Sequence, residues 1–432
     1  MVRNRFDGKL HDCILQETDM KRKSFDPVKI VLAALGGYGQ YYLNTLLDGI
    51  PQGTVELVGG VDPYPERCPR LKELTERQVP VYDSLARFYD NYQADLAVIA
   101  SPIHMHAAQS STALQNGSCV LCEKPVAATI QEVDTLIRTR DQSSRWIMIG
   151  YQWAFSAAVQ KLKKDISNGV FGRPLRLKSL CFWPRDYGYF QRNEWAGKQM
   201  TADGQWILDS PANNAMAHFL HCMLCVFETR PSQNDRLFDI KAELYRAYNI
   251  ENFDTCAVRI RSGQEIEFLF IASHVTREET GPLLDFEFEK ARIRYDAQSG
   301  FRALTESAEE IQYGFPDVDP QFLKLFRAIE QIHHLRKIEC GLESARNQTL
   351  CINGMQESMT KIKPFPGEQI RFDEFENRLW VSGLSEALLN CYERFALPSE
   401  IGLPWASSGR RVNLLDYRFF PGGIPPDRGP SS

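Results

Sequence analysis

Three glycines and one acid carry the first chemistry visible in the chain. Gly36, Gly37 and Gly39 interrupt an apolar run (29–35) just before the helix-like stretch 40–47, giving Ala34-x-Gly36-x-x-Gly39. Glycines in such a turn tolerate positive φ and let the backbone approach a pyrophosphate, whose charge is favoured by the unpaired N–H groups and dipole of the helix that follows. Asp62 ends a β-rich run (54–61), roughly 20 residues beyond Gly39, the spacing at which a carboxylate accepts hydrogen bonds from an adenosine ribose. The pattern predicts a dinucleotide site, with Gly36, Gly37, Tyr38 and Gly39 at the phosphates and Asp62 at the ribose. An acid there repels a 2′-phosphate, so NAD is favoured, while the nearby Arg67 leaves NADP open. A tight turn between a buried strand and helix, with Asp62 opening a turn before Pro63, reads similarly.

Those residues need a parallel sheet to position them. Apolar β-like runs at 79–82, 94–100, 118–122 and 146–150 alternate with helical stretches from Ser84 and over about 106–116. That order predicts a doubly wound parallel sheet over residues 28–150. Two of its strands end in Ser101-Pro102-Ile103-His104-Met105-His106 and in Glu123-Lys124-Pro125, on the carboxyl edge where open α/β sheets bind ligands.

From Pro174 the apolar period shifts toward two, and strands are expected over 175–183, 237–246, 256–261, 265–274 and 285–295. They predict a second, α/β domain (151–362) built on a large, mostly antiparallel sheet. One face needs cover and the other is available to a partner chain, so a homo-oligomer is expected. Helical periodicity marks 154–168, a stretch starting at Asp319-Pro320, and 342–362. Residues 1–27 read as an arm, and 363–432 as an extension with one added helix (384–395) and a tail rich in Pro and Gly.

Composition narrows the function classes. A chain of 432 residues with net charge −5, 43% hydrophobic and 24% charged has the balance of a globular protein and no general attraction for nucleic acid or anionic membrane. No apolar run approaches a membrane span of roughly 20 residues. The 11 Cys are odd in number and scattered, which predicts reduced thiols in a cytoplasmic protein. Cys119-x-x-Cys122 falls on a buried strand and Cys222-x-x-Cys225 in an apolar helix, so both are read as packing and no metal is expected.

Taken in order and spacing, the glycine loop, Asp62, Ser101-Pro102-x-x-x-His106 and Glu123-Lys124-Pro125 resemble the glucose-fructose oxidoreductase, inositol dehydrogenase and rhizopine-catabolism (Gfo/Idh/MocA) family over roughly residues 28–360. The resemblance implies a Rossmann domain, a second domain with a large open sheet, and a nicotinamide cofactor between them. It places Ser101, Pro102, His106, Glu123 and Lys124 around that cofactor and makes Lys124 the group that holds or deprotonates a substrate hydroxyl. A partly desolvated ammonium suits that role; a loop lysine paired with Glu123 is the plainer alternative. The family also carries an aspartate followed four residues later by a histidine that assists proton transfer. Here Asp209 matches, but Asn213 stands at the histidine position and cannot act as a base. Either His218, on one helix face with Asn214 and His221, reaches the site, or Lys124 with Asp209 suffices. Pro211 is expected to open that helix with Asp209 or Ser210 as its cap.

The segment 183–197 crowds aromatic rings beside Arg185, Arg192, Asn193 and Trp195. Ring faces stack on sugar C–H surfaces, and guanidinium and amide groups bind hydroxyls or carboxylates, which suggests a sugar-like substrate. The same rings could instead pin the loop to the domain. The reading that follows is an NAD(P)-dependent oxidoreductase of a sugar, inositol or related polyol. An NAD-dependent glycosidase without net redox and a non-catalytic nucleotide-binding regulator remain as alternatives.

Overall fold

The computed structural model describes residues 26–228, 236–263, 265–318, 322–333 and 338–421. The N-terminal arm up to residue 25, Asp319-Pro320 and the end of the tail lie outside them. The apolar run closes as β1 (Val28–Ala33), in which Ile30 to Ala33 are fully buried. A strand without polar alternation needs cover on both faces, which a central position in a parallel sheet supplies. The chain continues through α1 (Gly39–Asn44), β2 (Val55–Val61), α2 (Leu71–Glu76), β3 (Val81–Tyr82), α3 (Leu85–Tyr89), β4 (Leu96–Ile99), α4 (Ile103–Gln115), β5 (Cys119–Cys122), α5 (Ile130–Ser143) and β6 (Ile147–Ile149). These strands form a six-stranded parallel sheet in the order β3-β2-β1-β4-β5-β6. The order reverses between β1 and β4, which opens a crevice at their carboxyl ends.

The second unit runs through α6 (Ala157–Ser167), β7 (Pro174–Phe182), α7 (Tyr187–Gln191), α8 (Ala217–Phe227), β8 (Leu237–Arg246), β9 (Thr255–Ser262), β10 (Glu267–Ser273), β11 (Thr280–Phe288), β12 (Ala291–Asp296), β13 (Gly300–Thr305), β14 (Glu310–Gly314), α9 (Leu323–His333) and α10 (Leu342–Ser358). A final stretch adds β15 (Lys363–Pro364), β16 (Ile370–Asp373), β17 (Arg378–Val381), α11 (Leu384–Arg394) and β18 (Arg411–Asn413). The ten-stranded sheet has the order β14-β13-β12-β11-β7-β10-β9-β8-β15, with β18 also on β8. It is antiparallel except at β7/β10 and β8/β15. After β14, α9 returns to the first unit, where Leu325, Ala328 and Ile329 join its core. No helix among the described residues is long and apolar enough to cross a membrane.

Three expectations are corrected. The single strand over 285–295 is two strands turning at Glu289 and Lys290, with Glu287 paired to Arg292; the apolar alternation continues across the turn and hid it. No α-helix opens at Pro211. Residues 211–216 are successive turns and α8 starts at Ala217; the Asp209 carboxylate is taken by the Gly197 N–H, while Ser210 Oγ accepts from Asn213 N (3.2 Å). Finally, the outer face of the large sheet is covered over β7–β10. Along β10, Phe268 and Phe270 point into the core shared with α6, α8 and α10, while Leu269 and Ile271 point to the other side. There they meet Leu384, Leu388, Cys391 and Tyr392 of α11 and Trp405. Strands apolar on both faces need cover twice, and over β7–β10 the chain's own C-terminal segment provides the second layer.

Candidate active site

The turn after β1 has the geometry of a phosphate loop. Ala34, at the first glycine position, adopts φ +73°, and Gly37 adopts φ +55°. Gly39 is packed so closely that a Cβ there would stand 2.0 Å from the Ala34 carbonyl oxygen. At Gly36 and Gly37 nothing lies within 4 Å of an added Cβ, so the backbone presents an open cradle that fits a pyrophosphate. Asp62 sits at the end of β2, and its carboxylate accepts from Leu35 N (2.9 Å) and Tyr64 N (2.9 Å). Those two bonds orient it beside the loop while each oxygen keeps acceptor capacity. Arg67 lies with its guanidinium 4.4 Å from the centre of the Tyr64 ring.

At the carboxyl edge, Ser101 and Pro102 end β4 and lead into α4. His106, fully within α4, has Nδ1 2.6 Å from the Pro125 carbonyl and Nε2 2.7 Å from that of Ser101. It ties the two edge loops together; burial holds it below the usual imidazole range. Glu123 follows β5 and is buried. Its carboxylate accepts from Tyr42 Oη (2.6 Å) and pairs with Lys324 Nζ of α9. Burial alone would raise its pKa, but Lys324 outweighs that and holds the carboxyl below its ordinary value.

Lys124 is therefore not the partner of Glu123. Its Nζ donates to Asn214 O (2.8 Å) and Asn214 Oδ1 (2.9 Å). Burial, reinforced by Lys324 and Arg192 against the pull of Glu123 and Asp209, pushes its pKa down to about 8. Asn214 Nδ2 donates in turn to Asp209 Oδ1 (2.8 Å), and Asp209 Oδ2 accepts from Gly197 N (2.7 Å) and lies 3.4 Å from Arg192 Nη2. Burial raises the pKa of Asp209 despite Arg192. A basic and an acidic group whose ionisations are drawn together, joined through one amide, can hold a reacting oxygen and share its proton.

The remaining residues divide. Asn213 is buried with Nδ2 donating to Leu208 O (3.1 Å), so it braces the turn beside the Lys124 to Asp209 relay, and its Oδ1 has no partner. His218, in the first turn of α8, has a buried Nδ1 without a partner. Burial and the charges of Lys124 and Lys324 hold it well below its ordinary pKa, so the ring is neutral at pH 7. His221 turns away to stack on Tyr151 at 3.9 Å and meet Ser344 Oγ at 3.0 Å; Asn214, outside the helix, does not share its face. In the aromatic segment, Tyr187 and Phe190 pin α7 to Tyr248. Tyr189 instead meets the guanidiniums of Arg192 (3.9 Å) and Arg185 (5.1 Å). Asn193 accepts from Trp195 N (3.2 Å), and Trp195 packs near Ile103 and Ile207. Cys222 and Cys225 are buried, Cys225 Sγ lying 3.0 Å from Lys163 Nζ, and no group of three or more metal-ligating side chains occurs among the described residues.

Residues 28–151 match a family described as an oxidoreductase family with an NAD-binding Rossmann fold, GFO_IDH_MocA. The Rossmann domain belongs to the Gfo/Idh/MocA family. A relative from Mediterraneibacter gnavus, 2,7-anhydro-N-acetylneuraminate hydratase, is 27% identical over 35% of this chain and 37% of its own. Inositol 2-dehydrogenase 1 of Saccharopolyspora erythraea is 26% identical over 34% and 44%. The chain thus spans less than half the length of these curated relatives. The WlbA dehydrogenase of Bordetella pertussis, solved with NADH and UDP-GlcNAcA, shares the fold over 77% of this chain and 97% of its own, with TM-score 0.61 and 18% identity.

Within this site, sequence reasoning missed Tyr42, Lys324, Asn214 as the holder of Lys124, and Tyr189. Lys324 sits among Phe322, Leu323, Leu325 and Phe326, where a lone lysine reads as the solvent side of a helix. Only the fold shows that Glu123 waits there.

Proposed function

We propose that the protein is an NAD-dependent oxidoreductase that moves hydride between the nicotinamide and a secondary alcohol or ketone of a sugar, inositol or related polyol. The observation that carries this reading is Lys124, half-buried at the carboxyl edge of the sheet with its pKa pushed down to about 8 and joined to Asp209 through Asn214. Gly36, Gly37, Tyr38 and Gly39 hold the pyrophosphate, Asp62 holds the adenosine ribose and disfavours a 2′-phosphate, and Ser101, Pro102, His106 and Glu123 shape the edge against which the ring lies. The dinucleotide supplies the hydride acceptor or donor. Lys124 binds the reacting oxygen and takes its proton as the alcohol becomes a carbonyl, with Asp209 steadying the charge. Neutral His218 borders this oxygen as a hydrogen-bonding group, and Asn213 serves the turn rather than the proton. Arg185, Arg192, Asn193 and Trp195 grip the far side of the substrate. The polyol and sugar class is supported by the inositol dehydrogenase relative and by the aromatic and guanidinium content of that wall.

The test is absorbance at 340 nm with NAD and a panel of sugars and polyols. Alcohol oxidation needs the neutral amine, so kcat/KM should rise with pH and level above about 8. Lys124→Met should lower kcat by roughly 10²–10⁴-fold with NADH affinity unchanged. Undiminished turnover in that variant, or failure of the parent protein to bind NADH, refutes the proposal.

A further inference from the structure

Beside the aromatic segment, beyond the Lys124 to Asp209 relay, lies a second concavity that shares Arg185 with the substrate wall. It has a volume of about 480 Å³ and is lined by Pro184, Arg185, Asp186, Tyr189, Glu376 and Arg378. Two strands of evidence from distant parts of the chain converge there. Arg185 follows β7, whereas Arg378 opens β17 of the C-terminal segment. Tyr248 fixes both: its hydroxyl donates to Arg185 O (2.5 Å) and accepts from Leu379 N (2.8 Å). Asn377 O accepts from Tyr187 N (3.1 Å), which docks the hairpin on α7. The backbone segments that carry the two arginines are thus tied together by one hydroxyl.

Neither guanidinium is neutralised. Among the described residues neither arginine takes part in an ion pair, although Asp186 and Glu376 line the same space, and the Nε of each is buried without an acceptor. Arg185 makes a long contact to Pro184 O (3.4 Å), a side-chain hydrogen bond with Tyr189, and lies near the ring of Trp183; Arg378 reaches Arg277 O (3.1 Å). Asp186 is committed as the cap of α7, accepting from Tyr189 N (2.8 Å). Buried donors normally find partners, and a pair of arginines with unused Nε edges is the arrangement that grips an oxyanion through two parallel N–H bonds. The cleft adjoins the relay of the proposed reaction: Tyr189, on its wall, is the ring under Arg192, which contacts Asp209.

We infer that Arg185 and Arg378 form an oxyanion subsite, so that the substrate is an acidic sugar or polyol carrying a carboxylate or a phosphate. This rests on the oxidoreductase reading for its neighbour but not for its own chemistry. The terminal N–H groups of the two guanidiniums line the cleft and would meet the anion, and the C-terminal hairpin becomes a specificity element.

The test is isothermal titration of the full chain, preloaded with NADH so that the phosphate loop is filled, with inorganic phosphate and separately with glucuronate at low salt. One of the two should bind at a single site, more weakly as NaCl is raised, and the tighter one tells phosphate from carboxylate. Arg378→Ala should weaken that binding at least tenfold, and Glu376→Gln, which removes an opposing charge from an exposed position, should strengthen it; damage to the fold would weaken both. Absence of binding by either probe, or equal binding in the parent and Arg378→Ala, overturns the subsite. NADH binding is read separately by its fluorescence, so failure of the cofactor reading and failure of the subsite give different results.

Discussion

Replacing Lys324 by methionine keeps the length and the apolar stem of a wholly buried side chain and removes only its charge. Glu123 would then lie buried with Tyr42 as its remaining side-chain donor. Breaking a buried ion pair by deleting one partner costs about 3–5 kcal/mol, a large share of the stability of an ordinary domain. Because Glu123 ends a Rossmann strand and Lys324 starts α9 after the second sheet, the loss should also loosen the return of α9 to the first domain. Urea unfolding followed by tryptophan fluorescence measures it as a lower midpoint. Glu123→Gln combined with Lys324→Met should unfold less readily than either single variant, since the neutral pair leaves no uncompensated charge. The pH dependence follows from the shifts. Glu123 is held below its ordinary value of 4.5 and Lys324 above 10.5. The carboxylate's contribution is present above 4.5 and lost as pH falls through the lower folded value. The ammonium's contribution is present below 10.5 and lost as pH rises through the higher folded value. Without Lys324, burial raises the Glu123 pKa above its ordinary value, so the deficit of Lys324→Met should be largest near neutral to mildly alkaline pH and shrink as pH falls through that raised value, and again as pH rises above 10.5. A loss below about 1 kcal/mol, or a double variant weaker than both singles, would refute this account of the pair.

Other perturbations read different parts of the molecule. Ala34→Gly relieves a left-handed alanine and should stabilise the protein by about 0.5–1 kcal/mol after the entropy of glycine is counted. Gly39→Ala, by contrast, drives a methyl into a carbonyl and should abolish NADH binding by fluorescence titration. His106→Phe removes the single N–H that a neutral ring offers to the Pro125 or Ser101 carbonyl and should cost about 1–3 kcal/mol in urea unfolding. Leu388→Glu puts a charge between α11 and the outer sheet face, and light scattering should detect self-association.

Much of the first domain was legible because its signals are local. The run before Gly36, the distance to Asp62 and the strand ends at Ser101 and Glu123 each depend on a few neighbouring residues. The second domain was read correctly in kind but not in detail, since the turn at Glu289 and Lys290 carries no glycine, proline or asparagine to mark it. The partners of the site were the least visible. Lys124 is held by Asn214, 90 residues away, and Glu123 by Lys324, 201 residues away. Such pairs follow from how the sheets face each other, which neither periodicity nor motif spacing encodes. The outer layer escaped for a related reason. An apolar face looks the same in sequence whether another subunit or the chain's own later segment will cover it.

That layer sets a timetable for synthesis. Strand β10 leaves the ribosome with Leu269 and Ile271 still uncovered, and α11 is made more than a hundred residues later. At ordinary elongation rates the gap is on the order of ten seconds, during which the growing chain shows a broad sticky surface to its surroundings. Its yield in a cell should therefore depend on chaperone supply, and most strongly when translation is slowed between β10 and α11.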